Sequence, residues 1–166
     1  KDERILRKKE HSYRVMNFAK SIAESLKLNE ADIYIATLAG LVHDIGRFNQ
    51  LKFYGTFKDS KSIDHGDEGY RVLCDFIDKF TEDKKTQNIV LSATKYHNKC
   101  KIGDVDEQTK IFCKIVRDAD KLDIIETQIN EVNSENIVIK DELLKSIYKK
   151  EICKNDYCET EEDAVL

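Results

Sequence analysis

The chain holds only four histidines, His11, His43, His65 and His97. Each falls at or near the end of a predicted helix or at a loop–helix junction, and none sits in the charged surface stretches. Asp44 follows His43 directly, and a later run reads Arg117-Asp118-Ala119-Asp120-Lys121-Leu122-Asp123. Neutral imidazole nitrogen and carboxylate oxygen are borderline-to-hard donors that suit Fe, Mn, Ni, Co and Zn. The five cysteines form no CxxC pair, which argues against a structural zinc site. An aspartate beside a histidine at a helix end lets two adjacent side chains serve one cavity. A carboxylate also has two oxygens and can bridge two ions. Two ions about 3.5–4 Å apart clamp the attacking and leaving oxygens of a phosphoester and lower the pKa of bound water.

The rest of the chain must position these groups. It has 166 residues, one domain's worth, with 40% apolar and 36% charged residues. Proline is absent and there are 6 glycines, all between Gly40 and Gly103, which favours a mostly helical fold with its flexibility in the middle. A net charge of −4 and a pI near 5.7 disfavour general binding to nucleic acid or to an anionic membrane. The longest apolar or small run, residues 33–42, is about half a membrane span. Residues 1–11 are too charged to read as a signal peptide. The cysteines read as reduced thiols, so a cytoplasmic location is expected.

Val15, Phe18, Ala19, Ile22, Ala23 and Leu26 recur at three- and four-residue spacing and predict a helix over residues 9–28. Asn29, with Glu30 and Asp32 behind it, is the expected cap of a second helix that runs to about His43 and ends at Gly46. Residues 47–67 read as a loop rich in cations and aromatics. Helical spacing resumes over residues 68–80, with Tyr70, Leu73 and Ile77, and over residues 86–96, with Ile89, Val90 and Ala93. A long helix is predicted over residues 107–132, with Ile111, Ile115, Ala119, Leu122, Ile125 and Ile129 as core candidates. Beyond it come a short β-like run at 137–139, a last helix capped by Asp141 and ending near Lys150, and an acidic tail over 151–166.

The ordered series of His, His-Asp, His, His and Asp resembles the HD-domain superfamily of metal-dependent phosphohydrolases. The resemblance is carried by His11-Ser12-Tyr13-Arg14-Val15, by Leu41-Val42-His43-Asp44-Ile45-Gly46-Arg47 and by Asp118-Ala119-Asp120-Lys121-Leu122-Asp123. It implies an all-α helical bundle in a single domain, residues 1–150, followed by the tail. By motif position, His11, His43, Asp44 and Asp120 would bind a first ion. A helical wheel does not separate Asp120 from Asp118, which stays the second choice. Members with two metals tend to carry two intermediate histidines, so His65 and His97 would bind a second ion with Asp44 bridging.

The resemblance implies a hydrolase of a small phosphorylated substrate, nucleotides among the candidates, with a metal-activated hydroxide as nucleophile. His43, Asp44 and Lys121 are the candidate catalytic residues, and Lys121 could orient Asp120 or meet phosphate. Arg47, Lys52, Lys95 and Lys99 are the candidate phosphate contacts, with Lys58 and Lys61 nearby in the sequence. Phe53, Tyr54 and Phe57 could stack on a base or cap the core. A dinuclear-iron oxygenase on the same fold and a non-catalytic metal- or nucleotide-binding module are the alternatives. Two specificities are disfavoured. A chain without proline lacks the Gly-Tyr-Pro block of the HD-GYP cyclic-dinucleotide phosphodiesterases. Its Ala119-Asp120-Lys121-Leu122-Asp123-Ile124 also departs from the Ala-Asp-Arg-Leu-His-Asn of guanosine tetraphosphate hydrolases.

Overall fold

A computed structural model describes residues 2–131, and every described element is helical. The main helices are α1 (Glu3–Ser25), α2 (Glu30–Val42), α3 (Gly46–Tyr54), α4 (His65–Cys74), α5 (Lys84–Tyr96) and α6 (Glu107–Glu131). Single 3₁₀ turns lie at Asp59–Lys61 and Ile77–Lys79. The chain divides into two compact units, Lys1–Asp123 and Ile124–Leu166, and every residue of the candidate site belongs to the first. The β-like run, the last helix and the acidic tail lie outside the described residues.

Helix starts follow local chemistry. Asp2, Asn29, Asp64 and Asp83 each cap a helix by accepting a hydrogen bond from a backbone N–H two or three residues on, satisfying a donor that has no partner within the helix. Asp106 accepts from Thr109 N at 2.9 Å and from Thr109 Oγ1 at 2.6 Å at the start of α6. The Asp2 cap starts α1 well before residue 9. That extra stretch is mostly charged, and its two apolar residues, Ile5 and Leu6, are exposed, so it carries no buried apolar face for periodicity to mark.

The core is built from Val15, Ala19 and Ala23 of α1, Ala36 and Ala39 of α2, Leu73, Ile89, Val90 and Ala93, and Phe112, Cys113, Val116 and Ala119 of α6. Small residues let α1 and α2 approach closely. A Cβ on Gly40 would stand 2.9 Å from Ala19 Cβ and 3.1 Å from the Val15 carbonyl oxygen.

Two expectations are corrected. Residues 46–54 form α3 instead of a loop, and Gly46 opens this helix rather than ending the one before. Glycine is required there by packing, since a Cβ would lie 2.5 Å from the backbone nitrogen of Gly69 and closer still to the His65 carbonyl oxygen. The inward face of α6 is also rotated. Ile111, Leu122 and Ile125 are 44%, 43% and 49% exposed, while Phe112, Val116, Ala119, Asp120 and Asp123 are buried. Two of those inward positions are carboxylates, which an apolar pattern does not count. Tyr70 and Leu26 are likewise exposed rather than in the core.

Candidate metal centre

Five helices and one turn bring the sequence-predicted ligands together. His11 projects from the middle of α1, His65 is the first residue of α4, and Asp120 lies on α6. His43 and His97 sit at the C-caps of α2 and α5, where last-turn carbonyls have no partner within the helix. Each uses one: His43 Nδ1 donates to Gly40 O at 2.8 Å, and His97 Nδ1 donates to Thr94 O at 2.7 Å. Asp44 follows in the turn before α3. All six residues are buried, with Asp120 the most exposed of them at 8%.

The other two histidines are held by carboxylates. His11 Nδ1 donates to Asp123 Oδ2 at 2.6 Å, and His65 Nδ1 donates to Asp59 Oδ2 at 2.6 Å. Each carboxylate is backed by an arginine: Arg14 forks onto Asp123 through Nε and Nη2, and Arg47 Nη1 reaches Asp59 Oδ1 at 3.0 Å. A partner on Nδ1 in all four rings turns all four Nε2 atoms to the centre, the arrangement that metal-ligating histidines use.

The Nε2 atoms face one another and the two aspartates. His11 Nε2 lies 3.3 Å from His43 Nε2, 3.2 Å from Asp120 Oδ1 and 3.4 Å from Asp44 Oδ2. His65 Nε2 lies 3.0 Å from His97 Nε2, and these two are 3.6 and 3.5 Å from Asp44 Oδ1. Asp44 thus turns one oxygen to each of two lobes, one made by His11, His43 and Asp120 and the other by His65 and His97. His43 stands at their join, within reach of both, since ligand atoms of His43, Asp44 and His97 also lie within 4.8 Å of one another. Lone pairs converging at such distances repel unless a positive charge sits among them. The donor set, imidazole nitrogen with carboxylate oxygen, fits divalent transition-metal binding.

Burial and close neighbours set the charges of the cluster. Burial opposes a charge on His11, but Asp120 and Asp44 beside it outweigh this and hold its imidazole up at about 9. Burial would raise the Asp120 carboxyl, yet the hydrogen bonds of His11 and His43 hold it far below the usual carboxylate range. Asp44, buried among His43, Lys8, His11 and His97, is also held well down. Burial pushes His65 down to about 4 despite the attraction of Asp44. Two ionised carboxylates, Asp44 and Asp120, therefore face the charged His11, the Lys8 ammonium and the neutral His65 ring.

Of the two aspartates left open by the helical wheel, Asp120 joins this cluster, whereas Asp118 is exposed and lines a groove with Ile22, Leu26 and Ile111. The candidate cations divide. Arg47 lies against the cluster: its Nε is 3.5 Å from Asp44 Oδ1 and, though buried, has no hydrogen-bond partner. Its Nη1 is occupied by Asp59, Gln50 and the Phe57 carbonyl. Lys99 is bound to Asp64 at 2.6 Å and to Asp67 at 2.7 Å. Lys95 lies over Tyr70 and Tyr96, and Lys52 is exposed over Phe53. Lys121 is exposed and makes none of the contacts that hold the cluster. Sequence reasoning missed Lys8, Asp59 and Asp123. The one available signal was spacing: Asp123 stands three residues after Asp120, and Lys8 three before His11, each on the ligand's own helix face.

A model of the HD domain matches residues 9–125. The chain belongs to the HD-domain family. HD domains are all-helical and mostly hydrolases of the metal-dependent phosphohydrolase superfamily, and they typically bind divalent metals. No curated protein and no solved structure significantly matches the chain. Among the described residues no helix is long and apolar enough to cross a membrane.

Proposed function

We propose that this protein is a metal-dependent phosphohydrolase that takes two divalent ions, one per lobe, and cleaves a phosphomonoester or phosphodiester of a small, nucleotide-like substrate. The observation that carries this reading is the division of Asp44. Its Oδ2 faces His11 and its Oδ1 faces His65 and His97, the disposition of a bridging carboxylate. When bound, such a pair of ions supplies an activated water near neutral pH and positive charge for the phosphoryl oxygens.

The chain's own residues do the rest. Asp123 and Asp59 hold the His11 and His65 rings in the tautomer that ligates. Arg47 keeps Asp59 in place while its unpartnered Nε stays beside the bridging carboxylate, where a phosphoryl oxygen could accept from it. Lys52, Lys95 and Lys99 already have partners away from the cluster, so Arg47 is the best supported of the phosphate contacts read from the sequence. The proposed place of action is the cytosol, a reading supported by the free thiols of Cys74, Cys100 and Cys113.

The test is to strip the protein, reload it with Mn, Fe, Ni, Co or Zn, count ions per chain by elemental analysis and assay a panel of phosphoesters. Two ions per chain with phosphate release is the expected result, and Asp44→Ala abolishes both. A single ion per chain at saturation overturns the dinuclear site. Oxygen uptake by reduced, iron-loaded protein without phosphate release moves the reading to the oxygenase alternative.

A further inference from the structure

We infer that Lys8 is a substrate-binding residue of this site, the cation that meets a phosphoryl oxygen of the substrate; the inference rests on the phosphohydrolase reading above. Lys8 lies on α1 three residues before His11, on the same helix face. Its Nζ donates to Asp44 Oδ2 at 2.8 Å, the oxygen that faces the first lobe. Among the described lysines it alone has its ammonium against a residue of the cluster. Its side chain is 23% exposed, whereas that of Asp44 is 3% exposed, so Lys8 stands at the rim with a path to solvent.

The ring of Phe57 holds two cations at this rim. Lys8 Nζ is 5.8 Å from its centroid and the Arg47 guanidinium carbon is 5.9 Å from it. Lys8 touches the Oδ2 side of Asp44 and Arg47 the Oδ1 side. Without a cation in the lobe, the ammonium neutralises the bridging carboxylate. A divalent ion held by Asp44 would weaken that attraction and repel the ammonium by like charge. The lysine stem is long and flexible, and the ring face still attracts its head, so the ammonium stays at the rim. An anionic phosphoryl group entering over the two lobes is the natural partner for it.

The inference predicts opposite effects on two ligands when Lys8 is replaced. Lys8→Met keeps the stem and removes the charge. Measured on metal-loaded protein, KM for a phosphoester and the inhibition constant of orthophosphate should each rise about 10- to 100-fold, the worth of a hydrogen bond to a charged group. Ion count should stay at the wild-type value, and metal affinity measured against a competing chelator should be equal or tighter, because a competitor for Asp44 has gone. Lys8→Arg should recover part of the phosphate affinity. Unchanged KM and orthophosphate inhibition in Lys8→Met overturn the inference, as does loss of metal, which would make Lys8 a structural counter-ion. The phosphohydrolase reading fails separately. If loaded wild type releases no phosphate from any ester, calorimetric binding of orthophosphate to wild type and Lys8→Met still decides the role of Lys8. Binding lost in the variant supports it, and binding equal in both, or absent from both, overturns it.

Discussion

Asp59 accepts a 2.6 Å hydrogen bond from Nδ1 of His65, while its other oxygen is held by Arg47 Nη1 at 3.0 Å and Gln50 Nε2 at 2.8 Å. The carboxylate is thereby immobilised before it orients the ring. In the other lobe Asp123 does the same for His11, with Arg14 behind it. The two lobes are therefore supported independently.

That independence has a measurable consequence. On the proposed two-ion reading, Asp59→Ala should weaken the ion assigned to His65 and His97 about 10- to 100-fold, the usual effect of removing a partner behind a metal ligand, and leave the first lobe close to wild type. Asp123→Ala should do the reverse. Titration of each variant against a competing chelator separates the two affinities. Equal weakening of both ions in either variant would show that the lobes do not behave as separate units.

The closeness of α3 to α4 rests on Gly46. Gly46→Ala places a Cβ 2.5 Å from Gly69 N and nearer still to His65 O, with only backbone to yield. A loss of about 1–3 kcal/mol, typical of overpacking, should appear in urea denaturation. The displaced α4 start carries His65, so the second-lobe ion should be lost with it. Gly55→Ala is the control. Gly55 has φ +69° and open space around it, so its replacement should cost about 1–2 kcal/mol of backbone strain and leave metal binding intact.

Cys113 sets a pH dependence away from the site. Burial pushes its thiol up to about 11, with only partial relief from Arg117. The unfolded chain ionises its cysteine near 8.5, so between there and about 11 the unfolded state binds fewer protons than the folded one. Stability must then fall as pH rises through that window, on the order of 3 kcal/mol in full. Cys113→Ala should flatten this alkaline limb in urea midpoints measured from pH 8 to 11. In the folded wild type at pH 8, peptide mapping after alkylation should find exposed Cys74 and Cys100 modified and buried Cys113 protected. Rapid labelling of Cys113 in folded protein would contradict its burial.

Much of this architecture is legible in the chain itself. The absence of proline, the apolar spacing in α1, α2 and α5, and the cap at Asn29 point to an all-helical fold. Four histidines with Asp44 and Asp120 define a nitrogen-and-oxygen donor set, and the order of those residues along the chain points to the HD family. These features register because each is local: a period, a cap or a motif is complete within a few residues.

What tertiary structure decided is which groups face one another. Asp120 rather than Asp118 enters the cluster because α6 turns a face carrying two carboxylates inward, and buried polar residues leave no mark in apolar periodicity. Residues 46–54 are helical because two backbones meet at Gly46, a contact between segments that composition reads only as a turn. His11 and Asp123 are 112 residues apart in sequence yet share a hydrogen bond, and Lys8 reaches Asp44 across 36. The sequence by itself determined the candidate ligands by type and order. Only packing decided how Asp44 shares its oxygens between two lobes, because that division depends on the relative placement of helices whose contacting residues lie far apart along the chain.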